Sequence, residues 1–122
     1  METVELIGKT LGDYWQRMDG ALEGLTPAEL AWRPDPESNS IAFIVWHAAR
    51  VEDMWIQVFA QDIPDIWTKD AWHKKFGFSK DEAFLGLSVE QIGKFPAITK
   101  ENLDGYRPAV QNETQSYLKN LD

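Results

Sequence analysis

At 122 residues and 43 % hydrophobic side chains, the chain is sized for one domain, 1–122, with an ordinary soluble core. Twenty acidic residues against twelve basic give a net charge of −8, which repels phosphate backbones and anionic lipid, so nucleic acid and membranes are excluded as expected partners. Cysteine is absent, which removes disulfides, thiolate nucleophiles and cysteine zinc sites. No apolar run is long enough to span a bilayer, and the start, Met1-Glu-Thr-Val-Glu-Leu6, lacks the basic and apolar regions of a signal peptide. The expected location is therefore cytoplasmic.

In chain order, the first helix is predicted over residues 2–23. Val4, Ile7, Leu11, Tyr14 or Trp15, Met18 and Leu22 recur at steps of three and four and form one apolar stripe. Gly8 and Gly12 lie beside that stripe, either as tolerated helical glycines or as points of close approach. Leu25-Thr-Pro-Ala-Glu-Leu30 reads as a second, short helix. Thr26 is its cap, Pro27 its first residue and Glu29 the other half of a capping box. Trp32-Arg-Pro-Asp-Pro36 ends it, with Trp32 expected to fold back as a plug over one end of the bundle. Arg33 either reaches a buried acid or stays solvated.

Residues 39–59 contain no Gly or Pro, and Ser38, Asn39 and Ser40 supply cap chemistry just before them. At about 100° per residue, Ile41, Ile44, Val45, Ala48, Val51, Trp55 and Phe59 fall on one arc and Trp46, Arg50, Asp53 and Gln57 on the other. The expectation is an amphipathic helix buried by the apolar arc. Two polar residues interrupt that arc: Glu52, between Ala48 and Trp55, and His47, between Ile44 and Val51. A carboxylate on a core face is costly unless it is protonated, paired (with Arg33 or a lysine) or bound to a cation. An imidazole there is a metal ligand or a hydrogen-bonded core residue.

Gln61-Asp-Ile-Pro-Asp65 stops this helix. From there to Ser88 the chain reads as an extended connection, studded with Trp67, Trp72, Phe76, Phe78 and Phe84 that pack back onto the bundle. His73, beside Lys74 and Lys75, is a poor cation ligand. Ser79–Glu82 and Ser88–Gln91 match the capping-box pattern, the second opening a short helix through Val89, Ile92 and Phe95. The last helix is predicted from Thr99 to residue 121. Its apolar face is Leu103, Tyr106, Val110, Tyr117, Leu118 and Leu121, and Pro108 is expected to kink it. Strand alternation is missing throughout, so the fold class is all-α, with three long helices where antiparallel bundles usually close with four.

Taken together, Gly24-Leu-Thr-Pro-Ala-Glu-Leu-Ala-Trp-Arg-Pro34, Ser38-Asn-Ser-Ile41 and Trp46-His-Ala-Ala-Arg-Val-Glu-Asp-Met-Trp55, in that order, resemble the DinB-like superfamily. These are metal-binding four-helix bundles that include the bacillithiol and mycothiol S-transferases. The Phe76-Gly-Phe78 loop and the helix carrying Tyr106 and Leu118 are similar to one branch of it. The resemblance implies an up-down helical bundle holding a divalent metal, zinc or nickel, on three histidines. His47 matches the first ligand; the His-x-x-x-His pair that usually follows on a final helix has no counterpart. The fourth long helix is thus missing from this chain or supplied by a partner.

Two functions compete on this reading. One is a metal-dependent thiol S-transferase or hydrolase acting on a small molecule. His47 is its ligand, Glu52 its catalytic base or orienting group, and Tyr14 and Trp55 wall its pocket. The other is a metal-free helical binding or oligomerisation module. A homodimer is the expected assembly.

Overall fold

The computed structural model describes residues 2–78 and 97–121. They form helices α1 (Thr3–Leu22), α2 (Pro27–Ala31), α3 (Ile41–Asp53), a π-helical continuation of α3 (Met54–Ala60), α4 (Ile66–Lys69), α5 (Trp72–Phe76) and α6 (Lys100–Lys119). No strand occurs among the described residues. The capping boxes at 79–82 and 88–91, and the helix expected after the second, lie outside them.

Local chemistry sets the helix starts. Thr26 accepts the Glu29 amide while the Glu29 carboxylate accepts the Thr26 amide, a complete capping box ahead of Pro27. Ser40 caps α3 through the Phe43 amide, and Thr99 caps α6 through the Asn102 amide. Helix α6 continues through Pro108. Trp32 is not a plug: it is 64 % exposed, and Arg33 donates only to the nearby Pro36 carbonyl at 3.3 Å.

The segment after α3 is not extended, at least up to Phe78. It folds into α4 and α5, and Asp65 caps α4 through the Thr68 amide. Helix α5 ends at Gly77, whose φ of 81° suits glycine; the reversal there lets the Phe78 amide reach the His73 carbonyl at 2.8 Å. Phe76 and Phe78 therefore both face inward, where they meet Trp67 at ring separations of 5.0 and 5.8 Å. Trp46, Trp67, Tyr106 and Leu103 lie at the centre of this core.

Helix α3 is turned so that the arc expected to face solvent is buried. Trp46, Arg50, Asp53 and Gln57 are the buried arc. Of the arc expected to be buried, Val45 is buried and Ala48 and Val51 half-buried, but Ile44, Trp55 and Phe59 are 53 %, 61 % and 60 % exposed. The reason is that the polar arc finds partners inside. Asp53 accepts the Ile66 and Trp67 amides at 3.0 and 2.9 Å and the Tyr106 hydroxyl at 2.7 Å. The Arg50 guanidinium lies 3.1 Å from Asp65 and 3.5 Å from Asp53, over the Trp67 ring. Once those groups are satisfied, burying them costs less than it would alone, and Trp46 adds apolar area on the same side.

Beyond Asp53 the helix widens into its π form. The carbonyl of Ile56 is met by the Gln61 side-chain amide at 3.2 Å and that of Gln57 by the Ile63 amide at 3.0 Å, so the wider winding leaves neither unpaired.

Helix α6 passes close over Trp72. A Cβ on Gly105 would lie 2.6 Å from the far edge of that ring, whereas one on Gly12 in α1 would meet nothing within 4 Å. Gly12→Ala should therefore raise stability by about 0.5–1 kcal/mol through helix propensity. Gly105→Ala should lower it by about 1 kcal/mol, since overpacking outweighs that gain. Urea unfolding of the two variants checks the contrast. Asp53→Ala, which strands two amides and a phenol and takes away one of the two carboxylates beside Arg50, should cost about 3–5 kcal/mol in the same measurement.

Candidate functional site

The two polar residues singled out on α3 have different surroundings. Glu52 is turned toward α1 and α6. Its Oε1 accepts the Trp15 indole N–H at 3.1 Å and its Oε2 accepts the Thr114 hydroxyl at 2.7 Å. Burial pushes its pKa above the ordinary carboxylate range, while those two donors pull it part of the way back. Neither partner is the arginine or lysine that the sequence suggested.

Around Glu52 lies a void of about 10 Å³ between α1, α3 and α6, lined by Tyr14, Met18, Ala48, Arg107 and Gln111 among others. That is the lower limit of room for one water. Arg107 is buried; one guanidinium nitrogen pairs with Asp19 at 2.8 Å and the other, Nη2, has no hydrogen-bond partner. Burial, then the Glu52 charge, raises the Tyr14 phenol, and Arg107 offsets part of that. The space beside the carboxylate is too small for an organic substrate. A far larger open groove, about 770 Å³, runs between the start of α1 and the end of α6, but neither His47 nor Glu52 lines it.

His47 is half-buried on α3, its ring stacked on Phe43 at 6.1 Å and 10°. It and Glu52 do not belong to any cluster that could hold an ion: among the described residues no group of three or more His, Cys, Asp or Glu forms. The donor set for the implied zinc or nickel is thus not present in them, since affinity for such ions needs several ligands in fixed geometry. His73 is buried with Nδ1 3.1 Å from the Trp67 carbonyl; a carbonyl can only accept, so Nδ1 carries the proton and the ring is a structural tie.

Sequence reasoning missed the polar centre of the molecule, Arg50–Asp53–Asp65–Tyr106. Burial, then the neighbouring Asp53, drives the Tyr106 phenol well above its ordinary range, which keeps it protonated and donating. Asp53 itself is raised by burial against the pull of its donors. A signal was available in the spacing: Trp46 shares an arc with Arg50, Asp53 and Gln57, and a tryptophan that large seldom sits alone on a solvent face.

A raised carboxyl pKa has a definite pH signature. The folded state holds a proton on Glu52 at pH values where the unfolded chain, at about 4.3, has released it, so this group's contribution to stability falls as pH rises through that window. Asp53 acts in the same direction. Glu52→Gln, whose amide can still meet Trp15 and Thr114, removes only the first source. Its stability relative to the parent chain should grow between about pH 4 and about pH 7, as read by urea midpoints at each pH.

A family model for the DinB superfamily matches residues 10–122. A solved structure, that of a conserved protein from Enterococcus faecalis, superposes with a TM-score of 0.87 at 26 % identity, covering 100 % of this chain and 72 % of that one. No curated protein matches.

Proposed function

This chain belongs to the DinB superfamily, and from that premise we propose that it works as a helical binding module rather than as a metal enzyme complete in itself. One observation carries the reading. An apolar face of α1 and α3, including Ile44, Trp55 and Phe59, is open, while the carboxylate best suited to catalysis, Glu52, is committed to Trp15 and Thr114. Monomeric proteins seldom leave apolar patches of this kind uncovered without a binding use for them. A cytoplasmic location belongs to the same reading, supported by a cysteine-free composition that needs no oxidising compartment.

A second reading is favoured by the position of His47. It is three residues from Ile44 and four from Val51, at the edge of that face. A helix seated across the face would bring further donors beside it. Under this reading the completed site takes zinc or nickel and acts on a small molecule by thiol S-transfer or hydrolysis.

Isothermal titration separates the two. With Zn²⁺ or Ni²⁺ the module reading expects no site tighter than about 10 μM, and the same weak trace for His47→Ala. A site with Kd below about 1 μM that His47→Ala abolishes would overturn it in favour of the second reading.

A further inference from the structure

Thr114 lies on α6, wholly buried, with a single hydroxyl proton to give. Two acceptors are within its reach. Glu52 Oε2 is 2.7 Å from its Oγ1, across the gap to α3, and the Val110 carbonyl is 3.1 Å away, one turn back along α6. The second contact is the usual one for a threonine inside a helix. The hydroxyl proton can point along only one of the two directions at a time.

The two oxygens of Glu52 differ in what faces them. Oε1 takes the Trp15 indole N–H at 3.1 Å, and an indole can only donate. Oε2 faces a hydroxyl, which accepts as readily as it donates. Of the two, Oε2 is therefore the oxygen whose partner can receive a proton.

We propose that Glu52 and Thr114 form a proton-operated switch between α3 and α6. With the carboxylate ionised, the Thr114 hydroxyl donates to Oε2. With the carboxyl neutral, Oε2–H donates to the Thr114 oxygen, and the Thr114 hydroxyl turns to the Val110 carbonyl. The proton is taken from solvent and returned to it, and no covalent bond other than the carboxyl O–H forms or breaks. The contact between the two helices is kept and its direction reversed. The switch is independent of the binding-module reading.

Both states are well provided for. The ionised form keeps the Trp15 and Thr114 bonds to the carboxylate; the neutral form keeps the Trp15 bond, the reversed Thr114 bond and the one to Val110. Neither strands a buried polar group, which is the cost that would otherwise lock a half-buried carboxyl in one form.

The surrounding charges also leave both forms within reach. Tyr14 on α1, Asp53 on α3 and Arg107 on α6 are the titratable and charged groups that act on Glu52, and Arg107 is itself paired with Asp19 of α1 at 2.8 Å. Burial is the largest influence and favours the neutral carboxyl, with Asp53 adding to it; Thr114, Trp15 and Arg107 pull toward the carboxylate. The contact joins α3 to both α1 and α6, so the state of one proton is felt where the three long helices meet.

The experiment is an NMR pH titration of the 122-residue chain labelled with ¹³C and ¹⁵N, following the Glu52 carboxyl carbon, the Val110 carbonyl carbon and the Trp15 indole proton. Glu52→Gln identifies the carboxyl signal by its loss and holds the neutral arrangement, because its amide can donate to Thr114 at every pH. The expected midpoint for Glu52 lies above those of the exposed Glu5 and Glu23 in the same spectra. The Val110 and Trp15 signals should move with that same midpoint and stop moving in Glu52→Gln. Thr114→Val, which keeps the shape without the hydroxyl, should raise the Glu52 midpoint further, since a hydroxyl bonds a carboxylate more strongly than a neutral carboxyl, and should leave Val110 still. Thr114→Ser should restore both. A Glu52 midpoint level with the exposed glutamates overturns the inference, as does a Val110 carbonyl that does not follow Glu52, or one that follows it unchanged in Thr114→Val. The parent chain and Glu52→Gln decide the matter by themselves if Thr114→Val does not fold.

Discussion

A carboxylate without solvent contact must find donors on every side, and Asp53 finds them on three different elements. Its two oxygens take the first two amides of α4, the Tyr106 hydroxyl of α6, and a share of the Arg50 charge from its own helix. Each of those groups is itself buried, so none can be released to water without loss. Arg50 passes the connection on to Asp65, which caps α4 through Thr68. The junction of α3, α4 and α6 is thereby fixed at one point. The aromatic core of Trp46, Trp67, Phe76 and Tyr106 packs around it rather than defining it.

That constraint decides which way α3 faces. A helix can bury only one broad side against a neighbour. Fixing Asp53 inward turns Trp46, Arg50 and Gln57 inward with it, and turns Ile44, Trp55 and Phe59 out. The exposed apolar seam is a consequence of the buried polar one. Hydrophobic burial alone would choose the reverse orientation, but it would leave the α4 amides and the Tyr106 hydroxyl to be satisfied elsewhere. The summed cost of stranding several buried polar groups, at about 1–3 kcal/mol each, competes with the burial of two or three large apolar side chains.

The same arithmetic explains what could be read from the sequence. The three caps, Thr26, Ser40 and Thr99, act within three residues of themselves, and the spans of α1 and α6 follow from local periodicity; all were legible. The register of α3 was not, because periodicity counts apolar residues and is blind to distant partners. Those of Asp53 lie at Ile66, Trp67 and Tyr106, and nothing in the local pattern announces them. Helices α4 and α5 are four and five residues long, shorter than the window in which a helical repeat can show itself. Glu52 was legible as a carboxylate drawn toward the interior. Its partners were not, since Trp15 and Thr114 are neutral donors from the other two long helices and carry no charge that would mark them as partners of a carboxylate.

Glu52 and Asp53 are consecutive, so the helix directs them roughly 100° apart. One is taken up by α1 and α6, the other by α4 and α6. Two of the three sides of α3 are thus occupied by carboxylates that already have their donors, and the third is the apolar seam with His47 at its edge. The Glu52 carboxylate already takes two hydrogen bonds, and the void of about 10 Å³ beside it has room for no more than a water. The binding-module reading proposed above places an occupant on the third side. Chemistry there would need donors carried in by the occupant, whereas recognition needs only the side chains already facing outward.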